Sequence, residues 1–375
     1  MSTAIDNRNR ISSNEATMII ENSVKHLLSN PELACVIPAI MLRGAPGVGK
    51  STIVRQVAQK LGIGFIDVRL AQMERVDFAG LPSVNNGTTE WNVPAFWPRD
   101  PESKGILLLD EITSAPSDCQ VAAYSLVLDR RIPNSNYELP KGWFIIAAGN
   151  RAIDKAVVKS MSSALANRFM HFEMEADAKD WFEWAVPHGI SPIVTAFINY
   201  KPSLLFKMKD ENLEQGWPSP RSWERVSNML SVFGGNETIL GKVVKGLVGE
   251  GAATEFLAFH KLSAKLDDMR EIMLNEKRTF TQPSKADERF AAVSAVIYHI
   301  WRGKDDSETE KLINGFYKVL NGLDNDFAAL LVKGVMLGSD IIKPLQAMEK
   351  IIGNPNYKKA AEKFKADFDA QYNSL

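Results

Sequence analysis

The sequence predicts an α/β protein, with a helix-wound parallel sheet in its first half and a mostly helical second half. Three observations carry this. Five strand-like runs alternate with helical stretches up to about residue 176, and three of the runs are unbroken apolar segments, as strands buried on both faces should be. A glycine-rich loop, Gly44-Ala45-Pro46-Gly47-Val48-Gly49-Lys50-Ser51, joins the first run to a helical pattern and fits G-x-x-x-x-G-K-[ST]. Beyond residue 176 the strand signals stop.

The elements follow in order. Residues 38–43 form the first strand, and apolar residues at Ile53, Val54, Val57, Ala58 and Leu61 continue the loop into a helix. Gly64–Leu70 is the second strand. Residues 71–104 then break the rhythm as an insertion. Its Asn85-Asn86-Gly87 is a hairpin-turn signal, and of Trp91, Phe96 and Trp97 two are expected in the core. Gly105–Asp110, Gly142–Gly149 and Met170–Met174 complete the sheet. Helices are expected over Asp180–Val186, Pro192–Tyr200, Pro220–Phe233, Thr254–Leu274, Ala286–Arg302, Ser307–Leu320 and Lys358–Tyr372, with loops at Arg278–Lys285 and Gly353–Tyr357. A chain of 375 residues suggests two domains, divided here as 1–176 and 177–375.

Composition narrows the function. Apolar residues make up 45% and charged residues 24%, ordinary values for a globular protein. A net charge of −1 supplies no basic field for nucleic acid. Cys35 and Cys119 form neither a disulfide framework nor a metal motif, which points to a reducing cytoplasm. The polar start and the lack of a long apolar run predict neither a signal peptide nor a membrane span.

The candidate chemistry begins with the glycine loop. Gly44, Gly47 and Gly49 let backbone N–H groups turn inward around an anion, and the following helix adds its positive end. Lys50 can reach β- and γ-phosphates, and Ser51 offers a hydroxyl to Mg²⁺. In Ile106-Leu-Leu-Leu-Asp110-Glu111, a central strand ends in two carboxylates. Asp110 is placed to hold Mg²⁺, and Glu111 to act as the base that activates a water. Asn150 closes the next strand, where a neutral amide can hydrogen-bond that water and the γ-phosphate. Arg168 follows a helix and precedes the fifth strand, so it is suited to a neighbouring subunit's site as an arginine finger. Should Arg168 not serve, Arg130, Arg131 and Arg151 are the alternatives. Arg221 stands in the first turn after Ser219-Pro220, the wrong end of a helix dipole for a cation, and a bound phosphate would reverse that penalty.

Taken in this order, these features resemble the AAA+ ATPases. Phe78-Ala-Gly80, Ala95-Phe-Trp97, Asp110-Glu-Ile-Thr-Ser-Ala-Pro116, Gln120, Leu128-Asp-Arg-Arg131 and Leu165-Ala-Asn-Arg-Phe169 are similar to the MoxR group within them. The likeness covers about residues 15–235. It departs at Asn150-Arg151, where many MoxR members continue Asn-Pro. The resemblance implies a P-loop AAA+ core with five strands in the order 5-1-4-3-2, the inserted hairpin, a helical lid and a helical C-terminal extension. It also implies ATP and Mg²⁺ as cofactors. Gly44, Ala45, Pro46, Gly47, Val48, Gly49, Lys50, Ser51, Thr52 and Asp110 would hold the nucleotide, and Ser51 and Asp110 the metal. Glu111, Asn150, Arg168 and Arg221 would be catalytic. A ring of copies of this chain, usually a hexamer, would remodel client proteins with a partner bearing a von Willebrand factor A domain. A nucleic-acid motor or loader on the same fold is the alternative reading. A GTPase is disfavoured by the absence of an Asn-Lys-x-Asp motif.

Overall fold

The structure is a computed structural model, and it describes residues 9–151, 153, 161, 163–208, 216–261, 266–339 and 341–363. The expected helix beyond Lys363 and part of the segment between Asn150 and the fifth expected strand lie outside them. The chain divides into two compact units, Met1–Ala176 and Asp177–Leu375.

The first unit contains, in order, β1 (Arg10–Ile11), α1 (Ser13–Ser29), β2 (Ala39–Arg43), α2 (Lys50–Leu61), β3 (Gly64–Arg69), α3 (Arg75–Ala79), β4 (Leu81–Asn85) and β5 (Thr88–Asn92). It continues with β6 (Lys104–Asp110), α4 (Ser117–Asp129), β7 (Gly142–Gly149), α5 (Ser163–Ala166) and β8 (Phe169–Met174). The main sheet runs β1-β8-β2-β7-β6-β3, every pairing parallel. Without β1 this is the expected order 5-1-4-3-2. The sheet has six strands rather than five, because Arg10 and Ile11 pair with Glu173 and Met174. Two residues cannot show a hydrophobic period, so the sequence concealed this strand.

Local chemistry explains the element ends. Ser12 and Glu15 form a reciprocal capping box that starts α1. β2, β6 and β7 are almost wholly buried, as central parallel strands are. Asn86 and Gly87 take φ of 48° and 79°, the pair of positive values that a tight hairpin turn between β4 and β5 requires.

The insertion's aromatics differ from expectation. Only Trp97 is buried; Trp91 is half-exposed and Phe96 exposed. Trp97 meets Phe78 edge-on at 5.1 Å, and its indole N–H donates to the Phe78 carbonyl at 3.0 Å. One indole anchors this segment, and the hairpin beyond it pairs with itself.

The second unit is helical: α6 (Ala178–Ala185), α7 (Pro192–Tyr200), α8 (Pro220–Phe233), α9 (Glu237–His260), α10 (Leu266–Leu274), α11 (Ala286–His299), α12 (Asp306–Gly322), α13 (Asn325–Met336) and α14 (Pro344–Ile352). Val293, Val296, Leu312, Phe316, Leu331 and Val335 lie in its main core. The expected continuous helix over Thr254–Leu274 is instead the end of α9 followed by α10, with residues 262–265 outside the described set. α9 itself breaks at Gly249, whose φ of 77° and ψ of 165° no helix accommodates. A left-handed φ is cheap only for glycine, so the break falls there.

Candidate functional site

β2, β6 and β7 are adjacent and parallel, so their carboxyl ends gather at one edge of the sheet. The loops leaving those ends carry the glycine-rich run, Asp110-Glu111 and Asn150. Ligands of open parallel sheets bind at this edge.

Within the glycine-rich loop, Gly47 and Gly49 have φ of 85° and 100°, a backbone that side-chain-bearing residues rarely adopt. Gly49 is the N-cap of α2 and offers no side chain to the helix's free N–H groups. Those groups and the helix dipole are therefore left for an anion. Lys50 is buried at 8% exposure. Its ammonium donates to the carbonyls of Gly44 at 2.7 Å and Ala45 at 3.1 Å, and to Asn150 Oδ1 at 3.3 Å. Residues a hundred positions apart thus meet at one cation. The Ser51 hydroxyl donates to Asp110 Oδ2 at 2.6 Å, while Asp110 Oδ1 accepts the Glu111 N–H at 2.9 Å.

Glu111 is half-buried and holds φ at 56°. A non-glycine residue in that region carries strain of about 1–3 kcal/mol, and such strain clusters at working sites. Sequence reasoning gave Thr113 no role. It is buried, and its hydroxyl accepts the Asn150 N–H at 3.2 Å, bracing the asparagine from the next loop. The sequence signal was its place in the Asp110–Pro116 run, where Thr113 and Ser114 are polar between the apolar Ile112 and Ala115. Asp67 on β3 was also missed. Burial, and then the nearby Asp110 carboxylate, push its carboxyl above the ordinary value, against the pull of Arg69 and Arg55.

The donors suit a hard cation. Ser51 and Asp110 supply oxygens, and among the described residues no three His, Cys, Asp or Glu side chains gather as a metal site. Mg²⁺ is commonly held by one or two protein oxygens together with phosphate oxygens and water, so the residues present fit Mg²⁺ that arrives with a nucleotide.

Arg168 is exposed and lies at the opposite edge of the sheet. The next residue, Phe169, pairs with Ala39 at the start of β2, whereas the glycine-rich loop leaves β2 after Arg43. The alternative arginines are otherwise engaged. Arg130 is 4% exposed and donates to the carbonyls of Ala34, Pro140 and Trp143 at 3.4, 2.8 and 2.7 Å. It is a structural cross-brace and is not available as a finger. Arg131 pairs with Glu138 on the surface, and Arg151 pairs with Glu173 at 2.7 Å. Arg221 belongs to the second unit. It is exposed in the first turn of α8, which Ser219 caps and which holds no acidic residue.

No helix among the described residues is long and apolar enough to cross a membrane. No curated protein matches the chain. Among solved structures, NtrX from Brucella abortus is 15% identical, with 91% of this chain and 67% of that chain covered and a TM-score of 0.36. A Thermotoga maritima RuvB mutant is 16% identical, with 86% of each chain covered and a TM-score of 0.32. A putative ATPase from Cytophaga hutchinsonii is 15% identical, covering 91% of this chain and 96% of that one, with a TM-score of 0.29. At scores this low nothing about this chain rests on these likenesses. The family comparison is specific: residues 39–169 match the model of the AAA domain (dynein-related subfamily). The matched segment runs from β2 to the start of β8 and encloses the glycine-rich loop, Asp110, Glu111 and Asn150, so the likeness to an AAA domain falls on the first unit.

Proposed function

We propose that this chain is a MoxR-like AAA+ ATPase. It hydrolyses ATP with Mg²⁺ and uses the cycle to remodel client proteins in the cytoplasm. It works as a ring, a hexamer, with a partner bearing a von Willebrand factor A domain. The observation that carries the enzymatic part is the convergence of Lys50 with Asn150 and of Ser51 with Asp110 at one edge of the sheet.

Each residue then has a physical task. Backbone N–H groups of the loop from Gly44 to Thr52, Pro46 excepted, wrap the phosphates at the positive end of α2. Lys50 turns from the Gly44 and Ala45 carbonyls to the β- and γ-phosphates. Ser51 and Asp110 hold Mg²⁺, which when bound neutralises charge developing on the phosphates. Glu111 takes the proton of a water that Asn150 orients, with Thr113 fixing the Asn150 backbone. Arg168 of a neighbouring copy supplies the cation for the transferring phosphoryl group. Arg221 senses phosphate from the second unit, which acts as helical lid and extension. The MoxR assignment rests on the motifs Phe78-Ala-Gly80, Ala95-Phe-Trp97 and Asp110 to Pro116.

Glu111→Gln tests the reading. The amide keeps the shape and cannot act as a base, so ATP binding should persist while turnover falls by about 10²–10⁴. Near wild-type turnover by this variant would refute the assignment. The same variant held in ATP should co-purify with the von Willebrand factor A domain partner.

A further inference from the structure

Arg151 is the residue after Asn150, and its side chain reaches across the sheet. β7 and β8 are not neighbours; β2 lies between them, so they stand about 10 Å apart at the usual strand spacing. Arg151 follows β7, and Glu173 is on β8. Their side chains nonetheless meet, with Arg151 Nη1 donating to Glu173 Oε1 at 2.7 Å. The strand they bridge is the one that ends in the glycine-rich loop. Its last residue, Arg43, lies opposite Gly149 on one side and Glu173 on the other. The ion pair is thus a clasp across the root of the phosphate loop.

The far side of the clasp is well anchored. Glu175 pairs with Arg10 at 2.9 Å, and its N–H donates to the Ile11 carbonyl at 3.2 Å, so β1 holds the end of β8 in place. The loop root presses on that same end: a Cβ on Gly44 would stand 2.7 Å from the Met174 carbonyl oxygen. The Arg151 and Glu173 side chains are 17% and 25% exposed, so salt screens this pair less than an open surface pair. On the near side, Lys50 reaches Asn150 Oδ1 and Thr113 accepts the Asn150 N–H. Those contacts hold the asparagine itself, whereas Arg151 ties down the chain leaving it.

We infer that Arg151 is a positioning residue for the ATPase reaction. Its clasp on Glu173 fixes the backbone beyond β7 and so holds the Asn150 amide in place for the attacking water and the γ-phosphate. Arg151 acts through Asn150 in its own copy of the chain and touches no substrate. The inference rests on the ATPase reading above.

The test measures ATP turnover and the binding of a fluorescent ADP by the full chain and its variants. Arg151→Met keeps the stem and removes the charge. A displacement of about 1 Å can cost about 10²-fold in rate, so kcat should fall by about tenfold or more. KM and the affinity for the labelled ADP should change by less than about twofold, because phosphate binding itself is intact. Glu173→Met should show the same split. The two residues act as one unit, so the double variant should be no slower than the slower single. Arg151→Lys keeps the charge and most of the reach and should recover most of the loss. Arg151→Met mixed with Lys50→Ala should gain nothing above the sum of their separate rates, because no copy then carries both an intact phosphate loop and an intact clasp.

Unchanged kcat in either single variant, nucleotide affinity falling in step with kcat, additive losses in the double variant, or Arg151→Lys as slow as Arg151→Met overturns the proposal and leaves the ATPase reading standing. Recovery on mixing would make Arg151 a finger in trans and also overturns it. A parent chain without ATP turnover overturns the ATPase reading, and the inference with it.

Discussion

Arg168 offers the sharpest test, because its place in the sheet excludes it from its own nucleotide site. β8 and β2 run parallel with Phe169 opposite Ala39, and the glycine-rich loop begins at Gly44 beyond Arg43. The four steps from Ala39 to Arg43 span about 13 Å at 3.3 Å per residue, and the loop adds more. An extended arginine side chain reaches about 7 Å, roughly half that distance (two side-chain atoms per strand step of 3.3 Å). A catalytic Arg168 must therefore act in a neighbouring copy. Arg168→Ala should keep ATP affinity and lose about 10³–10⁵ in turnover, the range set by arginine fingers of other P-loop enzymes. Lys50→Ala should be inactive for the separate reason that phosphate binding is lost. The two inactive proteins should complement when mixed. In a head-to-tail ring assembled at random from equal amounts, about one interface in four pairs an intact loop with an intact finger, so about a quarter of wild-type activity should return. A phosphate-release assay on the mixture, with native mass spectrometry to show mixed rings, reads the result. Mixed rings with no recovered activity would refute the trans assignment. Recovery without mixed rings would refute the mechanism of complementation.

Other perturbations test the framework. Arg130→Met keeps the stem but leaves the Ala34, Pro140 and Trp143 carbonyls without their donor. At about 1–3 kcal/mol per buried group left unpaired, the loss is on the order of 3 kcal/mol or more, a drop in Tm of roughly 6–12 °C by calorimetry. An unchanged Tm would show that the brace carries no stability. Thr113→Val removes the acceptor of the Asn150 N–H without changing shape. It should lower kcat while ATP affinity holds, and an equal loss in both would show that Thr113 supports the fold and not the asparagine. Burial lowers the pKa of His260 below the usual 6.5, with Glu237 opposing. The unfolded chain gains a proton near 6.5 that the folded chain resists, so stability should fall as pH drops through 6.5. His260→Gln should flatten the slope of Tm between about pH 7 and pH 5, and an unaltered slope would assign it to other groups.

Much of this protein is written locally, and those parts were legible. The expected bounds of α7 and α8 coincide with the observed ones, because Pro192 and Pro220 at the first helical position fix where each helix can begin. The five long strands were legible because burial on both faces forces apolar runs. The glycine-rich loop, the Asp-Glu pair and the Asn after a strand could be named from residue type alone. Their meeting could not. That Lys50 touches Asn150, or that Ser51 touches Asp110, follows only once β2, β6 and β7 lie side by side. The tertiary structure also decided what no local pattern encodes. Thr113 became a brace for Asn150 and Arg130 a cross-link between three carbonyls, although neither residue type announces its partner. Trp97 alone among three nearby aromatics found a cavity to fill, and β1 exists only because β8 offers it an edge. Periodicity and residue type describe what a segment can bury or bind. Which partner it meets depends on contacts between residues far apart in the chain, and those are fixed only when the whole sheet closes.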